Sequence, residues 1–136
     1  MSLQATLKQI TSQPFINASL AVASRLLMAQ IFILAGASKI AGYAATAGYM
    51  ASQGVPGALL PLVILTELGG GLELLFGFQT RLVAGLLAGF CVITGLIFHA
   101  GSDQTSQIML MKNLAMTGGL LALLRTGAGK LSVDAE

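Results

Sequence analysis

Four apolar stretches separated by shorter polar ones dominate the pattern of hydrophobic and polar positions along the chain. Each is roughly 17–22 residues long, which matches the ~20 residues that an α-helix needs to cross a bilayer. The pattern therefore predicts four membrane-spanning helices, at residues 18–38, 57–78, 82–99 and 108–124.

The connections between these spans carry polar residues and helix stop signals. Residues 1–17 are polar to mildly amphipathic, which predicts a tail or an interfacial helix. Residues 39–56 are weakly hydrophobic, hold two tyrosines and end in Gly-Val-Pro, which predicts a short interfacial helix at headgroup level. Residues 126–136 form a C-terminal tail after the last span, and Ser132–Glu136 are expected to be mobile. The predicted fold class is an all-α integral membrane four-helix bundle with a short interfacial helix between the first and second spans, and its domain covers residues 18–125.

Composition supports the membrane assignment. Hydrophobic residues make up 55% of the chain and charged residues only 9%, against about a quarter charged in soluble domains. A soluble domain of 136 residues has too little interior to bury that much apolar surface. The basic residues are scattered singly, so the net charge of +2 does not indicate a nucleic-acid partner. One His and one Cys exclude an intrachain disulfide and a bis-histidine haem, and they are too few for a zinc or iron–sulfur site. No intrinsic cofactor is predicted.

The distribution of basic residues predicts an orientation. An even number of spans places both termini on one side of the membrane. With the termini inside, five Lys and Arg residues are cytoplasmic and two are not, as the positive-inside rule favours. We therefore expect a multi-pass membrane protein with both termini cytoplasmic, whose first partner is the lipid bilayer. The cytoplasmic set is Lys8, Arg25, Arg81, Arg125 and Lys130, and the opposite set is Lys39 and Lys112.

Two carboxylates, Glu67 and Glu73, interrupt the otherwise apolar second span. An ionised carboxylate in a membrane needs a cation, a raised pKa or a polar cavity. Glu67 lies about ten residues into its span, which places it near the midplane at a depth of ~15 Å, beside three consecutive glycines. Glu73 points about 120° away on the helix, so no carboxylate dyad is predicted. Glu67 is the candidate proton-exchanging group.

Other polar residues in or near the spans are candidate partners for Glu67. Each has a structural alternative that the sequence leaves open: an arginine can snorkel to headgroups, an ion pair can fix helix register, and a polar residue can cap a helix or mark the membrane boundary. As an imidazole, His99 is the second candidate for proton transfer. The candidate ligand-binding set is Arg25, Lys39, Glu67, His99, Lys112 and Asn113, with Arg25 or Lys39 as the cation that neutralises Glu67.

Several short motifs follow one another in a specific order and spacing. They are Arg25, Phe-Ile-Leu-Ala-Gly-Ala-Ser-Lys at 32–39, Gly-Tyr-Met at 48–50, Gly-Val-Pro at 54–56, Glu-Leu-Gly-Gly at 67–70, Gly-Phe-Gln-Thr-Arg at 77–81, His99, Lys-Asn-Leu-Ala at 112–115 and Gly-Gly-Leu-Leu at 118–121. This order resembles the DoxX family over about residues 20–125. The resemblance implies a small protein of the bacterial inner (plasma) membrane with four helices. That family takes its name from a subunit of a thiosulfate–quinone oxidoreductase, and its members are associated with membrane redox and with sulfur or thiol stress.

Three functions are compatible with these features. The first is a membrane redox component that binds a quinone, or a similar lipophilic carbonyl or hydroxyl compound, between aromatic walls and works with a membrane or peripheral oxidoreductase. The second is a non-enzymatic accessory or assembly subunit whose glycine faces pack against a larger membrane partner. The third is a small transporter or permease, acting as a homo-oligomer, that uses Glu67 as its coupling site. The ring side chains proposed for the walls are Phe32, Tyr49, Phe90 and Phe98.

Overall fold

The computed structural model describes residues 1–136 as six helices joined by short connections. Four of these helices are long and apolar enough to cross a membrane, so the predicted all-α membrane bundle is confirmed. The helices are α1 (Leu3–Thr11), α2 (Pro14–Ala41), α3 (Tyr43–Ser52), α4 (Gly57–Phe76), α5 (Thr80–Phe98) and α6 (Gln104–Thr126), of which α2, α4, α5 and α6 are the four candidate spans.

The ends of the spans differ from the predicted ends for local reasons. Helix α2 begins at Pro14 rather than at residue 18, because a proline at the first helical position has no amide hydrogen to leave unpaired. Helix α6 begins four residues early because the Asp103 carboxylate accepts a hydrogen bond from the Ser106 amide and caps the first turn. The interfacial helix predicted between the first two spans is α3.

Helix α4 is not a uniform α-helix. It opens with a 3₁₀ turn at Gly57–Leu59, continues as α-helix over Leu60–Ile64, widens into a π-helix at Leu65–Gly69 and returns to α-helix over Gly70–Phe76. Isolated π turns inside α-helices are rare and frequently occur at functional sites. This one carries Glu67.

Glycines allow α2 and α4 to approach each other closely. A Cβ added at Gly36 would lie 2.9 Å from the Leu68 amide nitrogen, and one at Gly71 would lie 3.0 Å from the Ile33 amide nitrogen. These contacts involve backbone atoms, so neither glycine has room for a side chain. Gly89 on α5 differs from these two glycines. A Cβ at Gly89 would meet nothing within 4 Å, so this position is open within the chain.

The C-terminal tail is hydrogen-bonded to the bundle, in contrast to the mobile tail predicted from the sequence. Its backbone continues hydrogen bonding with the turn after α4, where the Val133 and Asp134 amides donate to the carbonyls of Phe76 and Gly77. The Asp134 carboxylate accepts hydrogen bonds from the amides of Gln79 and Thr80, at the start of α5. These amides have no intrahelical partners, so the tail acts as the cap that the α5 N-terminus otherwise lacks.

Candidate functional site

A cavity of about 640 Å³ opens between α2, α3, α4, α5 and α6. Its lining residues come from the end of α2, the start of α4, the end of α5 and the start of α6. The cavity therefore lies at the end of the bundle opposite the two termini. Sixteen of its 24 lining residues are hydrophobic, so it has apolar walls with a few polar groups, as in most small-molecule sites.

Glu67 and Lys39 form an ion pair in this cavity. The Lys39 Nζ lies 3.0 Å from the Glu67 Oε2 and donates a hydrogen bond to it. Glu67 is 5% exposed, and the π turn of α4 presents it to the cavity. Glu73 does not line the cavity, in agreement with its predicted position on a different face of the helix from Glu67. Of the two cations considered for Glu67, the structure selects Lys39.

Arg25 is not part of this cavity, in contrast to the set predicted from the sequence. It lies fourteen residues before Lys39 on the same helix, or ~21 Å along the axis, at the opposite end of the bundle. Its guanidinium is buried and donates to four backbone carbonyls. These belong to Leu74 and Leu75 at the end of α4 and to Ala128 and Leu131 in the tail. With these acceptors Arg25 joins the tail to the bundle.

Asn113 lines the cavity but is already hydrogen-bonded. Its Nδ2 donates to the Cys91 carbonyl at 3.0 Å and lies 3.4 Å from the Thr94 hydroxyl. These contacts join α6 to α5 where a Cβ on Gly95 would lie 3.3 Å from the Asn113 side chain. The structural role of Asn113 is to fix this helix pair.

Lys112 and His99 complete the polar part of the cavity. Lys112 is half-buried and forms neither an ion pair nor a side-chain hydrogen bond with the rest of the chain. His99 follows the last residue of α5. Burial lowers the pKa of the His99 imidazole below its ordinary value, and the positive charge of Lys112 lowers it further. His99 is thus a neutral hydrogen-bonding group at neutral pH.

Aromatic rings line the walls as predicted. Phe32, Tyr49, Phe90 and Phe98 all face the cavity. The rings of Tyr49 and Phe98 are 5.7 Å apart between centroids, in a tilted pair that joins α3 to the end of α5. Sequence reasoning missed the hydroxyl groups of the lining. Thr46, Thr66 and Thr94 all reach the cavity, and no sequence motif separates them from threonines that merely bond their own helix.

Comparison with known proteins gives a family and one curated relative. The DoxX family model matches residues 20–100. The inner membrane protein YqjF of Escherichia coli (strain K12) is 50% identical over 114 residues, which cover 83% of this chain and 88% of that protein. No solved structure matches. The chain therefore belongs to the DoxX family, and its four apolar helices make it a multi-pass inner-membrane protein.

Proposed function

We propose that this protein binds a quinone, or a lipophilic molecule with similar carbonyl or hydroxyl groups, as a component of a membrane redox system. The observation that carries the proposal is the Lys39–Glu67 ion pair inside an apolar, ring-lined cavity. Its volume of about 640 Å³ lies within the ~300–1,000 Å³ typical of small-molecule sites. We further propose that the termini are cytoplasmic, so that the cavity opens toward the opposite face of the membrane.

Glu67 and Lys39 suit the chemistry of such a ligand. Reduction of a quinone to a quinol takes up two electrons and two protons, and the electrons would come from an oxidoreductase partner. Glu67, paired with Lys39 at 3.0 Å, would take up a proton from water and pass it to a ligand oxygen, once for each of the two protons. Lys39 would hold the carboxylate between transfers, because an unpaired charge at this depth is costly.

The test is the set of lipophilic compounds that co-purify with the protein in nanodiscs, identified by mass spectrometry. We expect a near-stoichiometric quinone with the wild-type protein and its loss in Glu67→Gln. Glu73→Gln is the matched control, since it removes a carboxylate from the same helix outside the cavity. Bulk lipid alone in all three samples would overturn the proposal.

A further inference from the structure

The cavity has one more positive charge than it can neutralise. Among its lining residues the acidic side chain is Glu67 and the lysines are Lys39 and Lys112. The Lys39–Glu67 pair cancels one charge of each sign. His99 adds no charge at neutral pH, because burial and the neighbouring Lys112 lower its pKa. Lys112 remains as an uncompensated cation.

No ion pair within the chain compensates Lys112. The chain contains two ion pairs, Lys39–Glu67 and Arg81–Glu136, and Lys112 is in neither. The nearest acid in the sequence, Asp103, is occupied in capping α6, where it accepts hydrogen bonds from the amide and hydroxyl of Ser106. Asn113, the neighbour of Lys112, has a neutral amide side chain, so it supplies no counter-charge.

The position of Lys112 makes this cation available to a ligand. Lys112 is on the third turn of α6, about 12 Å from its start along the axis, and is only half-exposed. A half-buried ammonium without a counter-ion is unfavourable in an apolar environment, and a bound anion relieves that cost. The apolar walls favour a ligand with an apolar part that covers them. A small hydrated ion would leave these walls uncovered.

We infer that the cavity selects an amphiphilic ligand whose polar end is anionic, with the anion held by Lys112. This inference rests on the proposed function and narrows its ligand class from neutral quinones to acidic ones, such as hydroxyquinones or phenols that are ionised when bound. Glu67 stays paired with Lys39.

The experiment compares two probes that differ in charge and little else. One is a hydroxynaphthoquinone that is ionised at neutral pH, and the other is its methyl ether, which is neutral. Binding to the full-length protein in nanodiscs is measured by ligand fluorescence quenching or calorimetry. We expect the ionised probe to bind wild-type protein at least about tenfold more tightly, the preference that one desolvated charge pair provides.

Variants assign the preference to the lysine. Lys112→Gln should abolish the preference by weakening binding of the ionised probe more than binding of the methyl ether, whereas Lys112→Arg should retain the preference because the charge is kept. Lys130→Gln, which removes an exposed cation of the tail, is the control and should change neither affinity. If Lys112→Gln does not fold, the wild-type probe pair and Lys112→Arg still decide the question.

The outcomes separate the two proposals. Equal affinity of wild-type protein for the two probes would overturn the charge selectivity and leave the quinone site standing. If Lys112→Gln weakened the binding of both probes equally, the charge selectivity would also be overturned. Lys112 would then affect the shape of the cavity and not the charge of its ligand. Failure of both probes to bind wild-type protein would overturn the site itself and the selectivity with it.

Discussion

Replacement of Arg25 by methionine tests the interpretation of this residue as the joint between tail and bundle. Methionine keeps most of the apolar stem and removes the guanidinium. Four hydrogen bonds are lost, at donor–acceptor distances from 2.6 to 3.2 Å. The lost partners include the carbonyls of Ala128 and Leu131, so we expect the tail to detach.

The expected loss of stability is the energy of the lost hydrogen bonds minus the cost of burying the guanidinium. Hydrogen bonds to charged groups contribute about 1.5 kcal/mol each at the lower end, or about 6 kcal/mol for four. Burial of the guanidinium, which is 2% exposed, costs several kcal/mol that the variant no longer incurs. We therefore expect a loss of about 3 kcal/mol in the free energy of unfolding. For a chain of this size that corresponds to a fall of about 10 °C in the unfolding midpoint.

Two assays report on the two parts of this prediction. Thermal unfolding in mild detergent measures the stability loss, and carboxypeptidase digestion measures release of the tail. Arg125→Met is the matched control, because Arg125 is exposed near the end of α6 and its side chain donates no hydrogen bond within the chain. If Arg25→Met and Arg125→Met unfold at the same temperature and lose the tail at the same rate, the reasoning is refuted.

Two further predictions concern helix packing and the tail cap. Gly71→Leu should lower the free energy of unfolding by about 1–3 kcal/mol, because the added Cβ would press on the Ile33 backbone. Gly89→Leu is the control and should leave the isolated chain stable, since the site is open. If the Gly71→Leu and Gly89→Leu variants had equal midpoints in thermal unfolding, the close packing of α2 on α4 would be contradicted. Asp134→Asn should cost up to about 1 kcal/mol at neutral pH, because the carboxylate caps α5 from a half-exposed position. The Thr80 amide hydrogen bond is the main cause that lowers the Asp134 pKa, so the stabilisation is fully present above the ordinary aspartate pKa of about 3.9 and is lost as the pH falls through the lower, folded-state pKa. A difference in midpoint between Asp134→Asn and wild type that persists unchanged into strong acid would refute the capping role.

The prediction for Glu67 shows how far sequence reasoning reaches. A carboxylate in an apolar span must find a cation or a cavity, and both are present in the structure. The sequence also put Glu73 on a different helix face, and this carboxylate stays outside the cavity. The choice between Arg25 and Lys39 was open, because residues spaced by fourteen share a helix face although they lie ~21 Å apart.

The tail shows where sequence reasoning failed. Its polar, glycine-containing residues are typical of mobile termini. Two sets of hydrogen bonds hold it in place. Arg25 donates to backbone carbonyls of the tail, and the free amides at the start of α5 donate to the Asp134 carboxylate. Backbone carbonyls are present at every residue, so a site built from them has no composition that a sequence pattern can reveal.

The sequence by itself determined the class, the number of spans and the positions of the polar residues along them. These properties depend on transfer free energies and on a fixed helical rise, which act locally along the chain. Only the tertiary structure decided that Lys39 neutralises Glu67, that Lys112 is left without a counter-ion and that Arg25 binds the tail. Those outcomes depend on how each helix is rotated about its axis and on the π turn that carries Glu67. Rotation is set by contacts between side chains far apart in the sequence, such as those at Gly36 and Gly71.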